Sequence, residues 1–409
     1  MKRSSSSLPR LHVAMVIQKF RPLFSGQGVQ LELLCRALLQ QNIQPTVITS
    51  SYGKKTLPKY DTIDGYKVIR VDPSVFSGLL GQKNGPVFSA KIFLELLRNQ
   101  AFDLVHVHAM TDAFYGAWGW SRLTSKPLLF EMTLLGTDDA ITLLATNHKF
   151  SKLRQAIFRR CDGYAAISPI LEQRYHEAGL ASSKVRLLVQ GVDVRRFSPS
   201  LYPPVREELG IPESSPVFVF VGSLVKRKGI DILLNAWIEI HKSRPDAHLI
   251  LAGENRFNND RLNRDFLSRQ FKMLPENAAS KIHQVGVRDD INRIMQAADI
   301  FLFPSRREGF GTVIVEAMAT GLPCIVSEQS GITDFIFGRG NPAGISVPQE
   351  NSSILAEQAI NLLANKSQMQ ELGKQSRKRA LALFDINDIV LQYVNFYRAL
   401  LGQKNPDLS

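Results

Sequence analysis

Short apolar runs alternate with longer amphipathic ones along this chain, and the alternation happens twice. In the first half "LHVAMVI" is followed by "VQLELLCRALLQ" and "PTVIT". "FDLVHVH" is then followed by "FYGAWGWSRL" and "KPLLFEM". The pattern restarts with "PVFVFVG", "ILLNAWIEIHK" and "AHLILAG". It continues through "INRIMQAA", "DIFLFPS", "TVIVEAMATG" and "PCIVSE". Strands buried on both faces read as unbroken apolar runs, and strand–helix alternation calls for parallel sheets covered by helices. Two rounds of it in 409 residues predict two α/β domains. The Pro- and Ser-rich stretch 195–216 reads as the linker. The expected organisation is a tail over 1–10, one domain over 11–200, a second over 201–385, and a closing amphipathic helix over 386–409.

Composition removes several function classes. Hydrophobic residues at 44% and charged residues at 21% describe an ordinary globular chain. Cys35, Cys161 and Cys324 lie far apart with no CxxC, which argues against a disulfide framework or a zinc site and for a reducing, cytoplasmic setting. The apolar stretch near the start is cut short by Gln18 and Lys19, so it reads as a first buried strand behind a polar tail, not as a signal peptide. The net charge of +13 is uneven: residues 1–200 hold 26 Lys and Arg against 14 Asp and Glu, while the remainder is nearly neutral. A basic half attracts acidic partners. No zinc-finger, RRM-like or basic-aromatic pattern points to nucleic acid, which leaves a phosphorylated substrate, an anionic membrane surface, or a charge that serves solubility with no specific partner.

In open parallel sheets ligands bind beyond the carboxyl ends of the strands, so motifs placed there carry the chemistry. Two are prominent. "VFVFVGSLVKRKGIDILLNAW" gives a strand, a turn at Gly222 and Ser223, and a helix beginning near Gly229, with Lys226, Arg227 and Lys228 crowding the connection. The unpaired N–H groups of a helix start, with added cations, suit a diphosphate. "DIFLFPSRREGFGTVIVEAMATG" repeats the layout with a strand over 299–304 and a helix starting near Phe310 or Gly311. Gly309 and Gly311 have no side chains to block an anion from the helix start, and Thr312 adds a hydroxyl. Glu308 and Glu316 have seven residues between them, one before the helix and one about a turn inside it, a rise of roughly 5 Å. Glu316 sits in the apolar run "TVIVEAMA", where an acid needs a polar partner and is a natural acceptor for a pair of sugar hydroxyls.

The E-x7-E pair, "GSLVKRKG", "VGVRDDINRIMQAADIFLFPSRREGFG" and "QGVDVRRFSP" together resemble the retaining nucleotide-sugar glycosyltransferases of the family 4 type over roughly residues 11 to 400. The resemblance implies a GT-B fold, with two Rossmann-like doubly wound domains facing each other across a cleft and a last helix crossing back to the N-terminal one. The second domain would hold the donor, a UDP-sugar in preference to a GDP-sugar, and the first a glycan or lipid-linked acceptor. No cofactor and no metal are implied. The resemblance places the enzyme among hexosyltransferases of polysaccharide biosynthesis, cytoplasmic and peripheral to the membrane.

On that resemblance Glu316 would hold the ribose hydroxyls, and Lys228, with Lys226 or Arg227, the diphosphate. Glu308 would lie beside the donor sugar, and the helix start over Gly309, Phe310, Gly311 and Thr312 would face sugar and phosphate. Ser223 stands where the family often has an arginine. Gly26 and Gly28, split by Gln27, match the family's glycine pair in part, with Gly28 approaching the phosphates. The family's T-x-H-G stretch corresponds to "MTLLGTDD", with Leu135 in place of the histidine, so either a neighbour such as Asp138 or Glu131 substitutes or the sugar contact differs. His106 and His108 end another strand. His108 is the better acceptor-side candidate, although a lone histidine is more often structural. Asp138 and Asp139 are weak evidence for a metal pair. The alternatives are a GT-B nucleotide-sugar isomerase or a catalytically silent nucleotide-sugar binder. A nicotinamide dehydrogenase is disfavoured because "GQGVQL" lacks the third glycine of GxGxxG and no acid ends the next strand.

Overall fold

The structure is a computed structural model that describes residues 10–23, 25–52, 56–73, 85–99, 101–136, 139–145, 151–199, 205–254, 261–328, 332–339 and 343–403. The chain forms two compact units. The first joins residues up to Gly191 with those from Ile386 onward, and the second runs from Val192 to Asp385. The stretch 195–216 therefore belongs to the second unit. Arg206 ties it there, donating to the carbonyl oxygen of Ala297 at 2.8 Å and pairing with Asp299 at 3.0 Å. A run rich in Pro and Ser can still be anchored when its occasional long side chains find buried carbonyls.

In the first unit, eight strands form one sheet: β1 (Leu11–Ile17), β2 (Ile43–Ser50), β3 (Tyr60–Ile63), β4 (Tyr66–Val71), β5 (Leu104–His108), β6 (Leu128–Met132), β7 (Gly163–Ala166) and β8 (Val185–Leu187). Their order is β3-β4-β2-β1-β5-β6-β7-β8, parallel except for the β3–β4 hairpin. The order reverses between β1 and β5, so the two connections there diverge to opposite faces. The helix Ile386–Leu400 belongs to this unit. Its buried face presents Tyr393, Val394, Phe396 and Tyr397. Beneath the sheet Phe114, Phe130 and Phe158 follow one another edge to face, with centroids 5.5 and 5.2 Å apart.

The second unit has six parallel strands: β9 (Val217–Val221), β10 (His248–Ala252), β11 (Ile282–Gly286), β12 (Ile300–Phe303), β13 (Cys324–Ser327) and β14 (Ile345–Val347), ordered β11-β10-β9-β12-β13-β14. All residues of β9, β10, β12 and β13 are buried, as unbroken apolar runs require. The order reverses between β9 and β12, and the loops leaving these two strands lie side by side. They are locked by backbone: Arg306 N–H donates to the Arg227 carbonyl at 2.9 Å. Gly229, with φ +72°, lies so close that a Cβ on it would stand 1.8 Å from the carbonyl oxygen of Pro304.

That close approach makes Gly229 irreplaceable. Gly229→Ala should destabilise the protein by at least about 2 kcal/mol, since left-handed backbone and steric overlap add. Gly286→Ala, with φ +67° but open space around it, should cost about 1 kcal/mol. Urea unfolding of the two variants measures the difference, and equal effects would contradict the packing described.

Candidate functional site

The locked loops of the second unit bring Lys228 and Glu308, 80 positions apart in sequence, into one ion pair at 2.6 Å. Lys228 ends the short 3-10 turn Lys226–Lys228, after which Gly229 caps the helix Ile230–Ser243. Glu308 stands four residues before the helix Thr312–Thr320, whose cap is Gly311 at φ +91°. The Glu308 side chain is 8% exposed and that of Lys228 14%. Ser305 donates its hydroxyl to the same Glu308 oxygen at 2.5 Å, and an Arg227 guanidinium nitrogen lies 3.6 Å from it. The Lys228 ammonium also sits 4.9 Å from the centre of the Phe303 ring, a cation–π distance. Burial, with Arg227 adding to it, pushes the lysine below its ordinary pKa, and the Glu308 carboxylate opposes that shift.

The same loops are braced from outside. Arg306 pairs with Asp231 at 2.7 Å and with Glu350 at 2.5 Å, and Ser327 donates to the Ser305 carbonyl at 2.5 Å. Arg227 itself donates to the Arg307 carbonyl at 2.7 Å, so it spans both loops. Lys226, by contrast, is exposed.

Glu316 differs from Glu308. It is half-buried on the helix Thr312–Thr320, and its carboxylate makes no hydrogen bond or ion pair among the described residues. Burial raises its pKa to about 7, against a weaker opposing pull from Arg196. The polar partner that the sequence calls for is therefore not supplied by the described protein itself. Phe310 turns its ring inward, edge-on to Phe384 at 5.8 Å, so only its backbone is offered at the helix start. Ser223 and Thr312 are half-buried nearby in the chain, at the turn after β9 and at the first residue of the helix.

In the first unit, Gly28 lies in the first turn of the helix Gly26–Gln40, where its N–H donates to the Ser25 hydroxyl at 2.9 Å. His106 and His108 project from the same face of β5 onto Glu131 at the end of β6. His108 Nδ1 is 3.0 Å from one Glu131 oxygen, and Tyr393 donates to the other at 3.0 Å. His106 Nδ1 lies 2.9 Å from the Tyr397 hydroxyl. His108 is buried like His106, at 4% and 0% exposure. Its Nε2 has no hydrogen-bond partner among the described residues, and His108 borders a cavity of about 20 Å³ with Gln27, Gln190 and Gly191. Such a space holds one water and no sugar. The donor atoms of His106, His108 and Glu131 lie within 4.8 Å of one another, close enough for a metal. Both carboxylate oxygens are already engaged by His108 and Tyr393, so a hydrogen-bonded network describes the cluster better.

Asp139 accepts from Gly136 N–H at 2.6 Å and Thr142 N–H at 3.0 Å, capping the helix Ala140–Ala145. That use accounts for one of the two adjacent acids. Asp138 lies outside the described residues. Leu135 is half-buried in the turn after β6. Sequence reasoning missed Tyr393 and Tyr397, because nothing local marks which face of the last helix meets β5 and β6. It also missed Ser305, one of several hydroxyls near a strand end.

The cluster sets an acid limit on stability. Burial lowers the pKa of His106 to about 4, and His108 and His106 hold Glu131 well below the carboxylate range. A histidine with a depressed folded pKa takes up protons preferentially in the unfolded chain, so stability falls as pH drops from 6.5 toward 4. Glu131 adds a further loss below about pH 4.5. His106→Asn should flatten the upper part of this profile when urea midpoints are compared at pH 7, 5.5 and 4.5. An unchanged slope would remove His106 from it.

Two family profiles match the chain: Glycosyltransferase Family 4 over residues 24–196 and Glycosyl transferases group 1 over residues 203–379. N-acetyl-alpha-D-glucosaminyl L-malate synthase of Bacillus anthracis is 24% identical over 385 residues, covering 94% of this chain and 97% of its own. Sucrose-phosphate synthase of Thermosynechococcus elongatus shares the fold with a TM-score of 0.78 at 23% identity, covering 96% of this chain and 100% of its own. The Anabaena protein HepE, solved in complex with UDP-glucose, does so with a TM-score of 0.75 at 20% identity, covering 95% and 100%. The two-unit α/β architecture expected from the sequence is thus the GT-B architecture of these proteins.

Proposed function

This chain belongs to the GT-B glycosyltransferases of the family 4 type, and on that premise we propose that it transfers a hexosyl unit from a UDP-sugar to an acceptor hydroxyl, with retention and without a metal ion. The observation that carries the proposal is the meeting of Lys228 and Glu308 at the point where the second sheet reverses its strand order. Bound UDP-glucose in HepE, a protein of the same fold, supports UDP as the donor base. Two of the named relatives are synthases that join a sugar to an acceptor, which favours transfer over isomerisation.

The chemical task is to stabilise the diphosphate as it leaves. An ammonium has three donors. Glu308 takes one of those of Lys228 and fixes the side chain in place, which leaves donors for phosphate oxygens. The starts of the helices Ile230–Ser243 and Thr312–Thr320 add partial positive charge, so the field is preorganised. Arg227 reinforces it, and the bare Gly309 and Gly311 admit the anion to the backbone of 309–312. Ser223 offers a hydroxyl in place of a second cation. Glu316, whose carboxylate has no hydrogen-bond partner among the described residues, accepts the two ribose hydroxyl protons. Glu308, already buried and charge-paired, stabilises positive charge at the anomeric carbon. The departing phosphate takes the acceptor proton on the same face of the sugar. His108 acts on the acceptor side only through a water in its small cavity.

Lys228→Met should lower kcat by about 10²–10³-fold, the usual loss for one preorganised charge contact in an active site. Lys226→Met should cost less than about tenfold, because that side chain is exposed. Equal losses would mean a diffuse basic patch. Glu316 must be ionised to accept both hydroxyls, so UDP-glucose should bind more tightly at pH 8 than at pH 6. Glu316→Gln should bind more weakly and lose this pH dependence in calorimetry. A wild type whose affinity is flat across that range would overturn the ribose assignment.

A further inference from the structure

The first unit holds a cavity of about 660 Å³ that the donor chemistry does not use, and its size is that of a small-molecule site. Two helices wall it, Gly85–Arg98 and Asp112–Thr124, which follow β4 and β5 in the chain. Their starting residues line it, so it lies toward the carboxyl edge of the sheet, where parallel sheets bind ligands. The two walls pack closely. A Cβ at Gly116 would stand 2.2 Å from the Ser89 carbonyl oxygen, so the helices touch backbone to backbone. A third helix, Ser151–Phe158, closes one side.

The lining divides into two parts. Phe93, Ala90, Ile157 and Leu153 offer apolar surface, and Leu153 is 60% exposed at the rim. At the other part stand Asp112, Tyr115 and Arg154. Tyr115 is half-buried and feels both the aspartate and the guanidinium, and Arg154 donates to the Leu143 carbonyl at 3.0 Å. An occupant must therefore carry an apolar body with a polar, hydroxyl-bearing end.

We propose that this cavity is the acceptor subsite for an amphipathic acceptor, with the hydrocarbon portion against Phe93, Leu153 and Ile157 and the hydroxyl-bearing end at Asp112, Tyr115 and Arg154. The proposal rests on the transferase reading and adds to it the class of acceptor. A glycan without an apolar aglycone would leave Leu153 and Phe93 wet.

Hexyl, heptyl and octyl glucoside, each kept below its micelle-forming concentration, serve as probes by displacement of a fluorescent anilinonaphthalene sulfonate. Each added methylene buried on apolar surface should lower Kd about fourfold. Leu153→Glu and Ala90→Glu alter exposed positions, so Tm should hold. Both should weaken octyl glucoside binding at least tenfold and leave UDP-glucose affinity unchanged. Binding independent of chain length, or unchanged in both variants, overturns the proposal. So does a loss confined to co-sedimentation with anionic vesicles, which would make the rim a membrane contact. Failure of UDP-glucose to bind while the chain-length series holds would sink the donor reading alone.

Discussion

Everything in the second unit that looks functional follows from one buried ion pair. Lys228 and Glu308 meet because Gly229 lets its own backbone press on the carbonyl of Pro304, and Arg227 and Arg306 stitch the two loops together. Removing one partner of a buried pair costs about 3–5 kcal/mol because the other charge is left without compensation. The pair is thus structural as well as chemical. A lysine held by a carboxylate, a serine-bound loop and an aromatic ring loses little freedom when a phosphate arrives, which is how a site stabilises charge without reorganising.

Glu316 is the complement of that arrangement. Its carboxylate has no hydrogen-bond or ion-pair partner among the described residues and a pKa raised to about 7, whereas one oxygen of Glu308 is held by Lys228 and Ser305. Two carboxylates eight positions apart on one loop and helix are therefore in different electrostatic states. One is held in an ion pair with Lys228, and the other, with a raised pKa, is the one proposed to accept ligand hydroxyls.

Much of this was legible in the sequence, for identifiable reasons. Unbroken apolar runs located β9, β12 and β13 to within a residue or two, and the cation cluster at 226–228 and the glycines at 309 and 311 fell at the strand ends as expected. What stayed hidden depends on distant pairing. The order β11-β10-β9-β12-β13-β14 decides that the loops of β9 and β12 are neighbours, and no local pattern encodes that. The tying of 195–216 to the second unit through Arg206 was hidden for the same reason, since Pro and Ser content reports local backbone preference and not the carbonyls a side chain will find. The His106–His108–Glu131–Tyr393 network needed three elements from both ends of the chain. The histidines were visible, but their burial and their partners were not.

Hydrogen–deuterium exchange with and without UDP-glucose tests the proposed donor site at the level of the backbone. Saturating nucleotide sugar should protect amides in the peptides spanning 222–230 and 304–316, the loops joined by Lys228 and Glu308, and leave the last helix of the chain unaffected. Protection that falls elsewhere, or a bound ligand that leaves those two peptides exchanging as before, would contradict the assignment of the donor to this pair of loops.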